Sequence, residues 1–293
     1  MQPPYPSPTA TWRNDTYAAI DPSNADLSQA GKTVVITGAG SGIGRATALA
    51  FAKAGAARLV LTGRTESTLQ ETEKLVTESH PKCTVSLFPA SVTDESEMHR
   101  IAKQIGHWDV LILNAAHISS PAPIVQTALQ DWWADFETNV KSVVIASQAF
   151  IPNAKPGAAL YTITAGAAVM PPAYTPGLSG YLTSKIAQSK VVQFLAVENP
   201  HLFACSVHPG MVETGIFRGS RADPAMLPMD TAELCANFLV WLSQPKTKFL
   251  NGKTVWANWD VEELEARAEE IQNSGTMTWG CEGWPFSPAA AAK

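Results

Sequence analysis

The stretch Thr33–Gly55, TVVITGAGSGIGRATALAFAKAG, decides the architecture of this 293-residue chain. Val34-Val35-Ile36 is a short, β-branched apolar run of the kind buried on both faces of a parallel sheet. From Gly42 the pattern reads as helix through Ala54, and Gly55 can close that helix in a left-handed conformation. Between strand and helix stand Gly38, Gly40, Gly42 and Gly44. Glycines here let backbone approach a phosphate at a helix N-terminus, where unpaired N–H groups and the dipole favour anions. The spacing from Thr37 is T-G-x-x-x-G-x-G rather than G-x-G-x-x-G. A glycine turn can merely join a strand to a helix, but at the start of a βα series phosphate binding is the better reading.

Outward from this unit the same alternation repeats. Apolar runs at 59–62, 84–88, 110–113, 159–163, 203–207 and 254–256 are separated by helical patterns. This predicts an α/β fold: one doubly wound domain whose seven parallel strands are covered on both faces. Asp94 with Glu97 resembles a capping box for a helix running toward Ile105. Pro200 sets Asn199 as the end of the helix that begins near Tyr181. Residues 1–30, rich in proline, read as an extended arm held by Trp12, Tyr17 and Ile20. The body covers 31–259. Residues 260–293 are expected to form a charged helix (DVEELEARAEEI) and a tail in which Trp279, Trp284 and Phe286 pack on the body or on a partner.

Composition narrows the function. Formal charge is −5 with no basic run, so nucleic acid and anionic membrane are poor partners. A hydrophobic content of 45% suits a sizeable core, yet no run approaches the roughly 18 apolar residues of a membrane span. No secretory pattern opens the chain, which points to the cytoplasm. Cys83, Cys205, Cys235 and Cys281 lack metal-ligand spacing, so no metal is expected and the thiols read as unbridged. Asn14-Asp15-Thr16 matches a glycosylation sequon by chance, with Asn14 in the surface arm.

Two further features carry chemistry. The second strand ends Thr62-Gly63-Arg64, where an arginine can neutralise a ribose 2′-phosphate and so favours NADP(H) over NAD(H); a solvated surface arginine is the plain alternative. Tyr181 and Lys185, four residues apart in YLTSK, share one helix face. An ammonium there should pull the phenol pKa down, readying it to exchange a proton with a carbonyl oxygen. Alone, such a pair is common by chance.

Taken together from about Gly31 to Asn258, the motifs resemble the short-chain dehydrogenase/reductase family, whose fold is of Rossmann type. TGAGSGIG is similar to its cofactor turn, and Asn114-Ala115-Ala116 to its Asn-Asn-Ala-Gly strand end. Asn139 in TNVKS matches its helix asparagine, YLTSK its Tyr-x-x-x-Lys, and HPGMVET from His208 its Pro-Gly segment. The arm and the VWANWDVEEL segment resemble fungal members, often tailoring enzymes of secondary metabolism. The resemblance implies cofactor contacts from Gly38, Ser41, Gly42, Ile43, Gly44, Arg64, Ser91, Val92, Asn114, Ala115, Pro209, Gly210, Val212 and Thr214, besides Tyr181 and Lys185. It implies Tyr181 as acid/base, Lys185 as its modulator and ribose ligand, Asn139 holding a water for the lysine, and a homo-dimer or homo-tetramer.

Two departures stand out. Where the family has its catalytic serine the chain reads Thr164-Ala165, so Thr164 is the replacement candidate or Tyr181 acts alone. Ser91 stands where the family has an acidic residue near adenine. His117 is read as a loop histidine facing solvent, with substrate ligand or proton donor as the alternative, and His208 as structural. Trp132, Trp133 and Phe136 read as core or a dimer face. The loop Gly215–Met229, with Ile216, Phe217, Met226 and Leu227, is the expected substrate cover, and its apolar content suggests a hydrophobic small-molecule substrate. The expected activity is hydride transfer between NADP(H) and a carbonyl or alcohol carbon. Loss of the serine motivates an alternative, a non-redox cyclase, isomerase or dehydratase on the same fold; a regulatory cofactor-binding protein ranks last.

Overall fold

The structure, a computed structural model, describes residues 6–281. Seven strands run in chain order: β1 Thr33–Thr37, β2 Arg58–Gly63, β3 Thr84–Pro89, β4 Trp108–Leu113, β5 Ala154–Ile163, β6 Phe203–His208 and β7 Thr254–Trp256. They form one parallel sheet in the order β3-β2-β1-β4-β5-β6-β7. Each run expected from the sequence falls inside one of these strands. Strand β5 starts earlier than its apolar run, because Ala154 pairs with Trp108 across a register irregularity before the regular ladder. The strand order reverses between β1 and β4, so the crevice beyond their carboxyl ends is where ligands bind in open α/β sheets.

The helices between strands are α1 Gly42–Lys53, α2 Glu66–Ser79, α3 Glu95–Ile105, α4 Leu129–Phe136, α5 Ser142–Phe150 and α6 Ser179–Glu198. Next come α7 Gly215–Gly219 and α8 Ala232–Leu242. Side chains alternate across the strands. Val34, Ile36, Leu59, Leu61 and Ile112 pack with Phe51 of α1, Leu69 of α2 and the nearly all-apolar α8. Val35, Val60, Leu111 and Leu160 face the other way, onto Ile101 of α3, Phe150 of α5 and Val192 of α6.

Local signals behaved as their chemistry requires. Gly55 sits at φ +89 just past α1, and Asn199 caps α6. Asp94 accepts from the Glu97 amide, but Glu97 turns to Arg100, so only half of the expected capping box forms. The charged segment after Trp259 is two short helices rather than one, α9 Val261–Ala266 and α10 Ala268–Gln272. Arg267 breaks them at φ −108, ψ 17, with its guanidinium bonded to the Pro8 carbonyl and Glu270.

The N-terminal arm clasps this end of the body. Trp12 bridges Trp259, Arg13 pairs with Asp260 at 2.6 Å, and Ile20 and Leu27 are buried in the core. Asn14 is no loose surface residue: its amide donates to Asp230 at 2.7 Å. Trp279 donates its indole N–H to Thr254 and accepts from Lys190 through its carbonyl. Trp284 and Phe286 lie outside the described residues.

Candidate active site

The glycine turn has no room for side chains. A Cβ on Gly44 would strike the Gly38 carbonyl, and one on Gly38 would come within 2.9 Å of Asn114 Nδ2. Asn114 pins this turn, donating to the Thr37 and Gly38 carbonyls at 3.0 and 3.1 Å, while the Ala115 amide donates to Thr37 Oγ1. Helix α1 therefore presents the exposed Ser41 and Gly42 at its N-terminus, with Ile43 half-buried behind them. A Cβ on Gly42 would approach the Thr214 methyl at 3.0 Å, so the turn and the Pro209-Gly210 segment face one another across the crevice. A narrow backbone-lined cradle at a helix start fits a dinucleotide pyrophosphate.

Arg64 leaves the end of β2 exposed, and among the described residues nothing bonds its guanidinium. Ser91 Oγ lies 2.8 Å from Thr93 Oγ1 and also accepts the Thr93 amide, so its hydroxyl shapes its own turn. Val92 is buried beside it.

On the other side of the crevice, Tyr181 lies in the first turn of α6 and Lys185 one turn on. Lys185 Nζ is 5.7 Å from the Tyr181 ring centroid and donates to the Ile163 carbonyl at 2.7 Å. Burial pushes the Lys185 pKa down to about 7, opposed by the Asp135 charge. Burial, with Asp135 adding to it, pushes the Tyr181 phenol well above its ordinary value. The phenol is thus raised, not lowered as the sequence suggested, and burial is the main cause.

Asn139 is fully buried in a π-helical turn, Glu137–Lys141, between α4 and α5. Its amide nitrogen donates to the His117 carbonyl and to Ser184 Oγ, both at 2.9 Å, while its oxygen accepts the His117 amide. Ser184 in turn donates to the Tyr181 carbonyl. Asn139 therefore fastens the loop after β4 to the helix turn that carries Tyr181.

Thr164, the candidate to replace the serine, is turned inward. Its hydroxyl is buried, 3.0 Å from Ser189 Oγ and donating to the Lys185 carbonyl. Thr164 follows the last residue of β5, and Ala165 after it opens the short helical turn Gly166–Val169. His208 fixes the next residue: its Nδ1 accepts the Gly166 amide at 2.9 Å, and burial pushes its pKa down to about 3.

His117 is partly exposed, as expected of a loop histidine, but its ring is not free. Its Nδ1 lies 2.8 Å from Asp135 Oδ1, a carboxylate with no exposure that also accepts the Ser119 amide and hydroxyl. Asp135 was not singled out in the sequence. It sits four residues before Asn139, one helical turn away on the same face, and that spacing was the signal available. A Cβ on Gly180 would come within 2.7 Å of Asp135 Oδ2, so only glycine lets α4 and α6 meet beside Tyr181.

The surroundings are more polar than the sequence suggested. Trp132, Trp133 and Phe136 stack on one another rather than filling the core, and Trp133 is exposed. In the cover loop Phe217 is buried, but Met226 is exposed. Gly219 closes against Ile118. Asp230 ties the base of the loop, its carboxylate accepting the Met211 amide and its own amide donating back to the Met211 carbonyl. A pocket of about 410 Å³ opens beside His117, lined by Ser119, Ser120, Gln126, Thr127 and Asp131 among others.

Comparison with known proteins places these features in a family. The family model described as short chain dehydrogenase matches residues 32–225. The short chain dehydrogenase citE of Monascus ruber is 36% identical over 279 residues, covering 91% of this chain and 94% of that protein. A short chain dehydrogenase/reductase of Claviceps purpurea is 34% identical, covering 92% of each. Among solved structures, a 3-ketoacyl-ACP reductase from Sinorhizobium meliloti superposes with a TM-score of 0.67 at 26% identity, covering 77% of this chain and 98% of that one. A short chain dehydrogenase from Escherichia coli, complexed with NADPH, shares the fold with a TM-score of 0.71 at 22% identity, covering 80% and 99%.

Proposed function

The chain belongs to the short chain dehydrogenase family, and on that premise we propose that it is an NADP(H)-dependent reductase of a small-molecule carbonyl, acting in the cytoplasm in fungal secondary metabolism. The observation that carries the reading is the hydrogen-bonded path from Asn139 through Ser184 to the Tyr181 carbonyl, with Lys185 on the same helix face. These bonds hold in place the helix turn that carries Tyr181 and Lys185, and a fixed phenol–ammonium pair is what proton transfer to a carbonyl needs.

The backbone at Gly38, Ser41, Gly42, Ile43 and Gly44 would hold the pyrophosphate, and Arg64 the 2′-phosphate. Ser91 and Val92 would lie near the adenine. Asn114, Ala115, Pro209, Gly210, Val212 and Thr214 would border the nicotinamide, and Tyr181 and Lys185 the ribose. A nicotinamide bound there supplies the hydride. Desolvation keeps the Tyr181 phenol protonated at neutral pH, which suits it to deliver a proton to the carbonyl oxygen as that oxygen gains charge. This supports the reductive direction. Lys185 arrives at its task through a pKa of about 7, so a nearby anion or hydroxyl cluster readily returns its charge. The unoccupied carbonyl-polarising role at Ala165 favours the non-redox alternative to the extent that no other donor fills it.

The apolar faces of α5 and α6 support a homo-oligomer. Phe194 and Val197 are exposed beside a cleft of about 350 Å³ lined by Val144, Val191 and Leu195. The test of the reading is Tyr181→Phe. We expect turnover, followed by absorbance of the reduced nicotinamide, to fall at least ~10²-fold while cofactor affinity survives. Normal turnover by this variant, or product formed without change in nicotinamide absorbance, would reject it.

A further inference from the structure

We propose that His117, held by Asp135, is a substrate anchor: its Nε2 accepts a hydrogen bond from a hydroxyl that the substrate carries besides its reacting carbonyl. The inference deepens the reductase reading and rests on it for the location of the carbonyl.

The geometry fixes the ring's chemistry. A carboxylate can only accept, so Asp135 at 2.8 Å places the proton of a neutral ring on Nδ1 and leaves a lone pair on Nε2. Three donors converge on Asp135, from His117, the Ser119 amide and the Ser119 hydroxyl. The His117 backbone is locked as well, its amide and carbonyl both paired with the Asn139 side chain. Ring and main chain are therefore set before any ligand arrives, which lowers the ordering cost of a contact. Among the described residues nothing bonds Nε2, and the side chain is 40% exposed.

Its position is suited to a second substrate contact. Strands β4 and β5 leave the sheet in register, Leu113 opposite Thr162, so His117 and Ala165 emerge at the same end of neighbouring strands. Asp135 reaches the α6 turn at Gly180, beside Tyr181. The pocket of about 410 Å³ opens from His117 and is walled by hydroxyl, amide and carboxylate groups, Asp131 included, together with Ile118 and two alanines. Two aspartates at this spot disfavour an anion. The ligand class is an uncharged, hydroxylated carbonyl compound, such as a hydroxyaryl ketone.

The probes are acetophenones with one ring hydroxyl at the ortho, meta or para position, compared with acetophenone itself. They would be titrated calorimetrically into the NADP⁺-loaded protein. At least one hydroxylated ketone should bind about tenfold more tightly than acetophenone, the size of one net hydrogen bond of about 1.4 kcal/mol. His117→Phe, which keeps a ring and removes both nitrogens, should abolish the difference. His117→Gln, whose amide oxygen still accepts, should keep part of it, and separates a lost hydrogen bond from a misfolded loop. Asp135→Asn should weaken the discrimination through the ring's orientation while acetophenone affinity stays level. Discrimination that persists in His117→Phe overturns the proposal, as does equal binding of all four ketones, or no binding by any of them. Failure of the reductase reading is separate: hydroxyl discrimination with no nicotinamide oxidation on any carbonyl would leave the anchor standing and remove the reductase.

Discussion

Thr164 Oγ1 lies 3.0 Å from Ser189 Oγ and 3.3 Å from the Lys185 carbonyl oxygen, on the buried side of α6. The hydroxyl nearest the vacant serine position is thus part of the packing between β5 and α6. Under the proposed reaction, the group that polarises the substrate oxygen would then be Tyr181 or a donor other than Thr164.

Ala165→Ser is therefore expected to raise kcat by tenfold or more with little change in KM, since one well-aimed donor is worth roughly 3–4 kcal/mol where charge develops. Thr164→Val should leave kcat within a few-fold and lower stability by about 1–3 kcal/mol, because it strands buried hydrogen-bond partners. Steady-state kinetics with thermal melts read both. A collapse of kcat in Thr164→Val at unchanged stability would restore the threonine as the polarising group.

Arg64 stands exposed at the end of β2 with no described partner, and the proposed cofactor assignment gives it a 2′-phosphate to meet. Arg64→Ala should weaken NADPH by about 1.5–3 kcal/mol and leave NADH nearly untouched. Titration of both cofactors against both proteins decides it, and tighter binding of NADH by the native chain removes the NADP(H) assignment.

His208 predicts an acid-side loss of stability. Its folded pKa is held near 3, below the ordinary 6.5, so the unfolded chain takes up the proton first. Stability should fall as pH drops from about 6.5 toward 3, with a slope of up to about 1.4 kcal/mol per pH unit, and this contribution should level off below that. In His208→Asn the side-chain oxygen can still accept the Gly166 amide but cannot titrate. Denaturant melts across the window should show a shallower slope for the variant; an identical slope would mean another group carries the effect.

Phe194 offers the most direct test of the proposed oligomer. A charge there, in Phe194→Glu, should shift the protein to monomer in light scattering while its circular dichroism stays that of the native fold. A native chain that is monomeric at micromolar concentration would leave the α5–α6 face without this role.

Most of the fold was legible because its signals are local. A β-branched run, a glycine turn and a helical period predict β1 and α1 within 23 residues, and repetition of that unit implies the parallel sheet. The Tyr181–Lys185 pair was legible for the same reason, since helix geometry alone puts both on one face. The split between α9 and α10 was not, because Arg267 is drawn aside by Pro8, far away in the chain.

The sequence by itself determined the succession of strands and helices, the glycine turn, the resemblance to the family and the absence of a serine at Ala165. Tertiary structure alone decided which way each polar side chain faces. Thr164 turned inward because Ser189 and the Lys185 carbonyl wait on α6. His117 acquired Asp135 from 18 positions away, and Asp230 gathered Asn14 and Asn258 from opposite ends of the chain. A buried polar atom must find its partner wherever packing brings one, and sequence spacing carries no record of contacts made by helices crossing in space.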